Sequence, residues 1–246
     1  MIGNKIEKGK IMQNEKVIAI VLAGGRGKRM NAEQPKQYMM LNEYPIIYYS
    51  LKQFEDSDVD ELILVVGKDE IAYCQVELIE KYKFKKITAI IEGGKERYES
   101  VYHALQKVED GDYILIHDGA RPMITREIIQ KSIQEVKRHK ACVVGMPVKD
   151  TIKIVDEDLY AKETPNRNRV WLVQTPQSFE RKLIQNAYEN MMRIGDDTIT
   201  DDAMVIEKYT DQPIKMIEGS YENIKITTPE DLIVAECFLK KNSKLK

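Results

Sequence analysis

Three glycines in four positions follow an apolar run in Ala23-Gly24-Gly25-Arg26-Gly27-Lys28-Arg29, and a further basic group stands at Lys36 within Pro35-Lys36-Gln37-Tyr38. Glycines let backbone N–H groups approach an anion with no Cβ in the way, and they allow φ > 0 where a turn needs it. Arg29 and Lys36 add positive charge beside the same loop. Together these residues suit a polyphosphate. Two standard phosphate loops do not account for them. GxxxxGK[ST] needs a hydroxyl after its lysine, and Lys28 is followed by Arg29. GxGxxG could start at Gly25 and Gly27, but Met30 stands where its third glycine belongs. A surface turn with solvated basic residues is the plainer alternative. The position directly behind the first strong strand, with Lys36 close by, favours the anion site.

Other polar groups gather at corresponding places further along. They are Gly93-Gly94 with Ser100, His117-Asp118-Gly119-Ala120-Arg121-Pro122, Lys149-Asp150-Thr151, and Asn223-Ile224-Lys225. The Asp118 carboxylate could hold a metal or a ribose hydroxyl, or it could cap the loop that Pro122 stiffens. His117, at a strand end, reads as a packed residue rather than a base. Asp201 and Asp202 fall in the first turn of a helix, where acids favour the dipole, so they read as structural. Glu96, Arg97 and Glu99 read as a solvated helix face. No Ser/His/Asp or Cys/His constellation is evident, so nucleophilic catalysis by the protein is not indicated.

The elements that must position these groups alternate. Val17 to Leu22, Glu61 to Val66, Lys86 to Ile91, Tyr113 to His117 and Ala141 to Val148 read as buried strands. Between them, helices are expected over Ile46 to Phe54 (opened by Pro45), Asp69 to Lys83, Arg97 to Val108, and Arg126 to Arg138 with Thr125 as N-cap. This rhythm predicts an α/β fold: a doubly wound, mostly parallel Rossmann-like sheet with the polar clusters at the carboxyl ends of its strands. Thr151 to Val155 and Leu159 to Glu163, around Asp156-Glu157-Asp158, predict a hairpin with little apolar bulk, hence a projecting β-arm at about 150–169. Val170 to Gln174 returns to strand. Helices follow over Glu180 to Arg193 and Asp201 to Tyr209, then short strands over Ile214 to Glu218 and Asn223 to Ile226. A last helix is expected, with Thr228 as N-cap and Pro229 at its first position.

The chain has 246 residues, enough for one α/β domain, here expected over 16–240 with flexible tails at 1–15 and 241–246. Lys+Arg 38 against Asp+Glu 40 leave a net charge of -2, which gives no footprint for nucleic acid or an anionic membrane, so any anion site must be local. Cys74, Cys142 and Cys237 have no paired spacing and read as reduced core residues of a cytoplasmic protein. No run approaches a membrane span, and the polar N-terminal stretch is no signal peptide; Met12 is a second candidate start.

In order, LAGGRGKRM with PKQY, GGKERYESV, HDGARP, VKDTIK, NRNRVW with QTPQSF, TDDA and EGSYENIKITTPEDL resemble the 2-C-methyl-D-erythritol 4-phosphate cytidylyltransferases of the non-mevalonate isoprenoid pathway, from about Val17 to Leu239. The resemblance implies a Rossmann-like nucleotidyltransferase fold. It also implies a reaction: CTP and methylerythritol phosphate give CDP-methylerythritol and pyrophosphate, with Mg2+. It assigns Arg29 and Lys36 to the pentavalent α-phosphate, and Gly24, Gly25, Gly94 and Ser100 to CTP. Asp118 and Ala120 go to the ribose and metal side, with Asp118 as metal ligand. Lys225 is assigned to the phosphates near the reacting centre and to substrate positioning. Thr151 and Arg167 are assigned to substrate, contributed from the arm of the other subunit of a homodimer.

Two departures stand out. LAGG replaces the more frequent PAAG and resembles the ribitol-5-phosphate cytidylyltransferases, against which HDGARP and Asn166-Arg167-Asn168 before Trp171 weigh. Lys95 stands where an acidic residue often follows the paired glycines. The nucleophile implied is the substrate's own ionised phosphate, so no strong general base is needed, and catalysis is positioning plus charge neutralisation. A nucleotide-binding regulator without turnover is the alternative of another class; carrying both Arg29 and Lys36 argues against it.

Overall fold

The computed structural model describes residues 15–25 and 34–243. Among them, a seven-stranded sheet has the order β11-β7-β10-β6-β1-β4-β5. It is made by β1 (Val17–Leu22), β4 (Glu61–Val66), β5 (Ile87–Glu92), β6 (Tyr113–Asp118), β7 (Ala141–Pro147), β10 (Trp171–Glu180) and β11 (Lys215–Glu218). All pairings are parallel except those of β10, which runs antiparallel to both β6 and β7. Two short ribbons complete the strands: β2 (Met40–Leu41) with β3 (Tyr44–Pro45), and β8 (Ile154–Val155) with β9 (Ala161–Glu163).

β1 is covered on both faces, which is why its run is uninterrupted by polar residues. Val17, Ala19 and Val21 face α1 (Ile46–Glu55), α2 (Ile71–Cys74, continued as a π-helix over Gln75–Glu80) and α4 (Arg126–His139). Ile18 and Ile20 face α3 (Arg97–Leu105), α5 (Arg181–Ile194) and α6 (Asp202–Tyr209). The last helix, α7 (Pro229–Ser243), packs through Ala235 on Leu41, Ile46 and Ile226. Thr125 caps α4 as expected, its Oγ1 accepting from Ile128 N–H at 3.4 Å. The doubly wound sheet read from the sequence is therefore present.

Three expectations need correcting. β10 does not stop at Gln174. It continues through Gln174, Thr175, Gln177 and Ser178, all buried. Their polarity resembles a loop, yet most find partners inside: Gln177 donates to Asp201 Oδ2 at 2.9 Å and accepts from Ala203 N–H at 2.8 Å, while the buried Ser178 hydroxyl has no hydrogen-bond partner among the described residues. Asn223 to Ile226 is not a strand. It is an irregular connection without ladder pairing, held by Ala120, Arg121 and Lys36. Cys74 and Cys142 are core residues, whereas Cys237 is exposed on α7. The expected hairpin forms, but only β8 and β9 pair within it, and both are exposed.

Candidate active site

From β1 the chain winds outward through β4 and β5, then crosses back to lay β6 on the other side of β1. That reversal is a topological switch point, and register sets Leu22 against Asp118 there. A cleft of about 690 Å³, including its solvent mouth, opens at this place. The loop after β1 supplies Ala23, Gly24 and Gly25, and the turn Lys36–Tyr38 supplies Lys36 and Gln37. The β5–α3 connection supplies Gly94, Lys95 and Glu96, and α3 supplies Arg97 and Ser100. Asp118 and Ala120 follow β6, and Lys225 precedes α7. Eight of the expected site residues thus meet in one cleft: Gly24, Gly25, Lys36, Gly94, Ser100, Asp118, Ala120 and Lys225. Arg29 lies outside the described residues. Thr151 and Arg167 are exposed in the arm region and do not line this cleft; Arg167 Nη1 donates to the Lys149 carbonyl at 3.5 Å.

The glycines act by close approach, not by left-handed backbone. Among the described glycines only Gly111 and Gly195 have positive φ. A Cβ at Gly24 would stand 3.1 Å from the Val66 carbonyl oxygen, which is backbone and cannot swing away. At Gly25 a Cβ would meet no protein atom within 4 Å, so the missing side chain keeps space open on the cleft side. Ser100 fixes the second glycine turn, accepting from Gly94 N–H at 3.0 Å and donating to the Glu96 carbonyl at 3.1 Å. Glu96 and Glu99 close a capping box at the start of α3.

Asp118 is the electrostatic centre. Arg97 Nε lies 3.2 Å from Oδ1, while Lys225 Nζ at 3.0 Å and Arg121 Nε at 3.6 Å face Oδ2. Burial alone would raise this carboxyl's pKa. Arg97, then Lys225 and Arg121, outweigh it and hold Asp118 well below the usual carboxylate range. Its backbone is held as well: Asp118 N–H donates to Thr175 Oγ1 at 3.1 Å, and that hydroxyl pairs with His117 Nδ1 at 2.9 Å. His117 is fully buried against Phe54, as its strand-end position suggested, and burial, partly opposed by Asp118, pushes it down to about 3.

The segment before α7 ties the rim together. Ile226 N–H donates to the Ala120 carbonyl at 2.8 Å, and the Ile226 carbonyl accepts from Lys36 Nζ at 2.7 Å. Arg121 Nη1 donates to the Asn223 carbonyl at 2.9 Å. Lys36 and Lys225 are thereby brought to the same edge of the cleft.

Arg97 corrects the sequence reading. It is not part of a solvated face: it lines the cleft and forms a fork onto Asp202, Nη1 to Oδ1 at 2.9 Å and Nη2 to Oδ2 at 2.7 Å, while Nε reaches Asp118. Asp202 is wholly buried and also accepts from the Tyr188 hydroxyl at 2.6 Å. Burial opposes the charge on Arg97, and Asp202 and Asp118 outweigh it, so the guanidinium stays protonated. Of the two acids read as dipole partners, Asp201 is the N-cap of α6, accepting from Met204 N–H, but Asp202 is half of this buried pair. The signal that could have found Arg97 is positional: it is the first residue of a helix that starts at the carboxyl rim of a parallel sheet.

Among the described residues, no three His, Cys, Asp or Glu side chains form a group that could hold a metal ion. The Asp118 carboxylate, faced by Arg97, Lys225 and Arg121, could serve only a hard cation that brings most of its oxygen ligands with it. Four cations against two carboxylates line the cleft, Lys36, Lys95, Arg97 and Lys225 with Glu96 and Asp118. That balance suits an anionic ligand although the whole chain is slightly acidic.

The family model described as 2-C-methyl-D-erythritol 4-phosphate cytidylyltransferase matches residues 17–241. A protein of that description from Lachnoclostridium phytofermentans is 51% identical over 228 residues, 93% of this chain and 98% of its own length. One from Lachnospira eligens is 52% identical over 224 residues, 90% and 98% of the two chains. Among solved structures, 4-diphosphocytidyl-2C-methyl-D-erythritol synthase from Anaerococcus prevotii superimposes with a TM-score of 0.81 at 32% identity, covering 92% of this chain and 96% of that one.

Proposed function

The chain belongs to the 2-C-methyl-D-erythritol 4-phosphate cytidylyltransferase family, and from that premise we propose how its cleft carries out the family's reaction. The enzyme is a nucleotidyltransferase that converts CTP and 2-C-methyl-D-erythritol 4-phosphate to CDP-methylerythritol and pyrophosphate. A phosphate oxygen of the polyol phosphate attacks the α-phosphorus of CTP. A new P–O bond forms there as the bond to the β-phosphate oxygen breaks, and its electron pair leaves with pyrophosphate. No proton need be removed from the nucleophile, so the reaction does not call for a strong general base.

The observation that carries the reading is the convergence of Lys36 and Lys225 on one edge of the Gly24–Gly25 loop, joined through Ile226 and Asp118. In this reading Gly24 and Gly25 offer backbone to the phosphates, and Gly94, Ser100, Asp118 and Ala120 receive the nucleoside. Lys36, with Arg29, neutralises the charge that builds on the α-phosphate. Lys225 holds the two reacting phosphates together against their mutual repulsion. Arg97 keeps Asp118 oriented.

In this proposal a Mg2+ accompanying the nucleotide would be held on the protein side by the Asp118 carboxylate. Its contribution when bound is charge neutralisation on the triphosphate. We assign Thr151 and Arg167 to the polyol phosphate, delivered by the arm of a second subunit in a homodimer. The support is that both stand away from the cleft of their own chain, and that the arm exposes Leu159 (80%) and Tyr160 (71%).

The test is pyrophosphate release with CTP and Mg2+, offering methylerythritol phosphate and ribitol 5-phosphate separately. Turnover with the first alone is expected. Turnover with ribitol 5-phosphate would overturn the substrate assignment, and tight CTP binding without release would overturn catalysis.

A further inference from the structure

The 3-10 turn Lys36–Tyr38 sends three consecutive side chains to three parts of the molecule. Lys36 donates to the Ile226 carbonyl, and Gln37 donates to the carbonyl of Ala23, the residue before Gly24. Tyr38, almost wholly buried, donates its hydroxyl to Glu70 Oε2 at 2.6 Å. The same carboxylate oxygen accepts from Gly67 N–H at 2.9 Å. Gly67 follows Val66, whose carbonyl lies against Gly24. One carboxylate thus references both the lysine turn and the floor of the glycine loop to the end of β4.

A three-residue turn has no stability of its own, so its side-chain anchors decide how it is rolled. The ring of Tyr38 meets Tyr73 edge-on at 5.0 Å, and phenylalanine would keep that contact. What phenylalanine would lose is the bond to Glu70 and the 3.1 Å contact of the hydroxyl with Cys74 Sγ, and only the first of these is shared with Glu70→Ala. Burial pushes the phenol far above its ordinary value, so it stays a donor at every working pH.

We infer that Tyr38 and Glu70 are positioning residues for the transfer reaction, their hydrogen bond setting the roll of the 36–38 turn so that the Lys36 ammonium meets the α-phosphate. The inference rests on the role given to Lys36 above. A misplaced group on the transition state lowers kcat, whereas ground-state affinity for CTP, carried by the glycine loops, changes little.

The experiment is a double-mutant cycle read by pyrophosphate release, with thermal melts alongside. Tyr38→Phe is expected to lower kcat about tenfold and to leave the KM for CTP within about twofold. In a Lys36→Ala background the same change is expected to have no further effect. Glu70→Ala should repeat the loss, and Glu70→Gln, whose amide oxygen can still accept from Tyr38 and Gly67, should retain near-normal kcat. An equal loss from Tyr38→Phe in both backgrounds would make the hydroxyl merely structural and overturn the inference. So would normal kcat in Tyr38→Phe beside a crippled Lys36→Ala. If Lys36→Ala itself turned over normally, the role of Lys36 would fail first and this inference with it, a pattern distinct from the other two.

Discussion

Arg97 and Lys225 both touch Asp118, yet their surroundings assign them different work. Asp202, opposite Arg97, has no solvent access, and 26% of the Arg97 side chain is exposed. Removing one partner of a buried pair strands the other's charge, so Arg97→Ala should cost about 3 kcal/mol in urea unfolding. Lys225 is 38% exposed and its bond to Asp118 is half-solvated. Lys225→Ala should therefore cost under about 1 kcal/mol of stability while lowering kcat by about 10²–10³-fold. Equal stability losses would remove the distinction.

His117 gives a third outcome at this scale. Its folded value is depressed to about 3 from an ordinary 6.5, so the unfolded chain binds the extra proton between those values. The stabilisation is complete above pH 6.5 and drains as pH falls toward 3, at up to about 1.4 kcal/mol per pH unit. His117→Asn should flatten the fall in urea midpoint between pH 6.5 and 4.5, and a variant keeping the full slope would contradict the burial argument. The site residues legible in the sequence were those whose chemistry is local, such as glycine pairs and Asp118 at a strand end. Arg97 was not, because its partner Asp202 is 105 positions away and nothing near Arg97 announces it.

At the scale of elements, β1, β4 and β6 could be read almost to the residue, since burial on both faces leaves apolar runs that nothing else in a chain of this composition requires. The strand read over Val170 to Gln174 falls short of the end of β10 because Thr175, Gln177 and Ser178 are polar, and buried polar residues suit a strand where neighbours supply partners: Ser220 for Gln174, His117 for Thr175, Ala203 and Asp201 for Gln177. The 223–226 segment misled in the opposite sense. Its apolar residues serve a core under α7, but its backbone is spent on Ala120, Arg121 and Lys36 instead of a ladder.

The arm contributes nothing to either face of the sheet, since β8 and β9 are exposed throughout. Replacing residues 153–163 by a short glycine linker should then leave the melting temperature within a few degrees, because little buried apolar area is lost. Turnover should fall far more than CTP binding. A large drop in melting temperature would show the arm to be part of the core.

For the molecule as a whole, the arm raises a question of stoichiometry. Among the described residues the cleft is lined by Lys36 but by neither Thr151 nor Arg167, so on the assignments proposed above it lacks its own chain's groups for the second substrate. In a two-fold dimer each arm would serve the other cleft, so the two halves of a site come from different chains. That arrangement can be tested without seeing the interface. Lys36→Ala inactivates a chain's own cleft and leaves its arm sound; Arg167→Ala does the reverse. Each homodimer should be nearly inactive, the first through kcat and the second through the KM for the polyol phosphate. After unfolding and refolding together in equal amounts, half of the dimers should be mixed. Each mixed dimer combines one sound cleft with a sound arm, so about a quarter of wild-type sites should return. If arms served their own chain, every site would carry one lesion and mixing would restore nothing. A recovery near a quarter, appearing only after subunits are allowed to exchange, would place Arg167 on the partner's substrate.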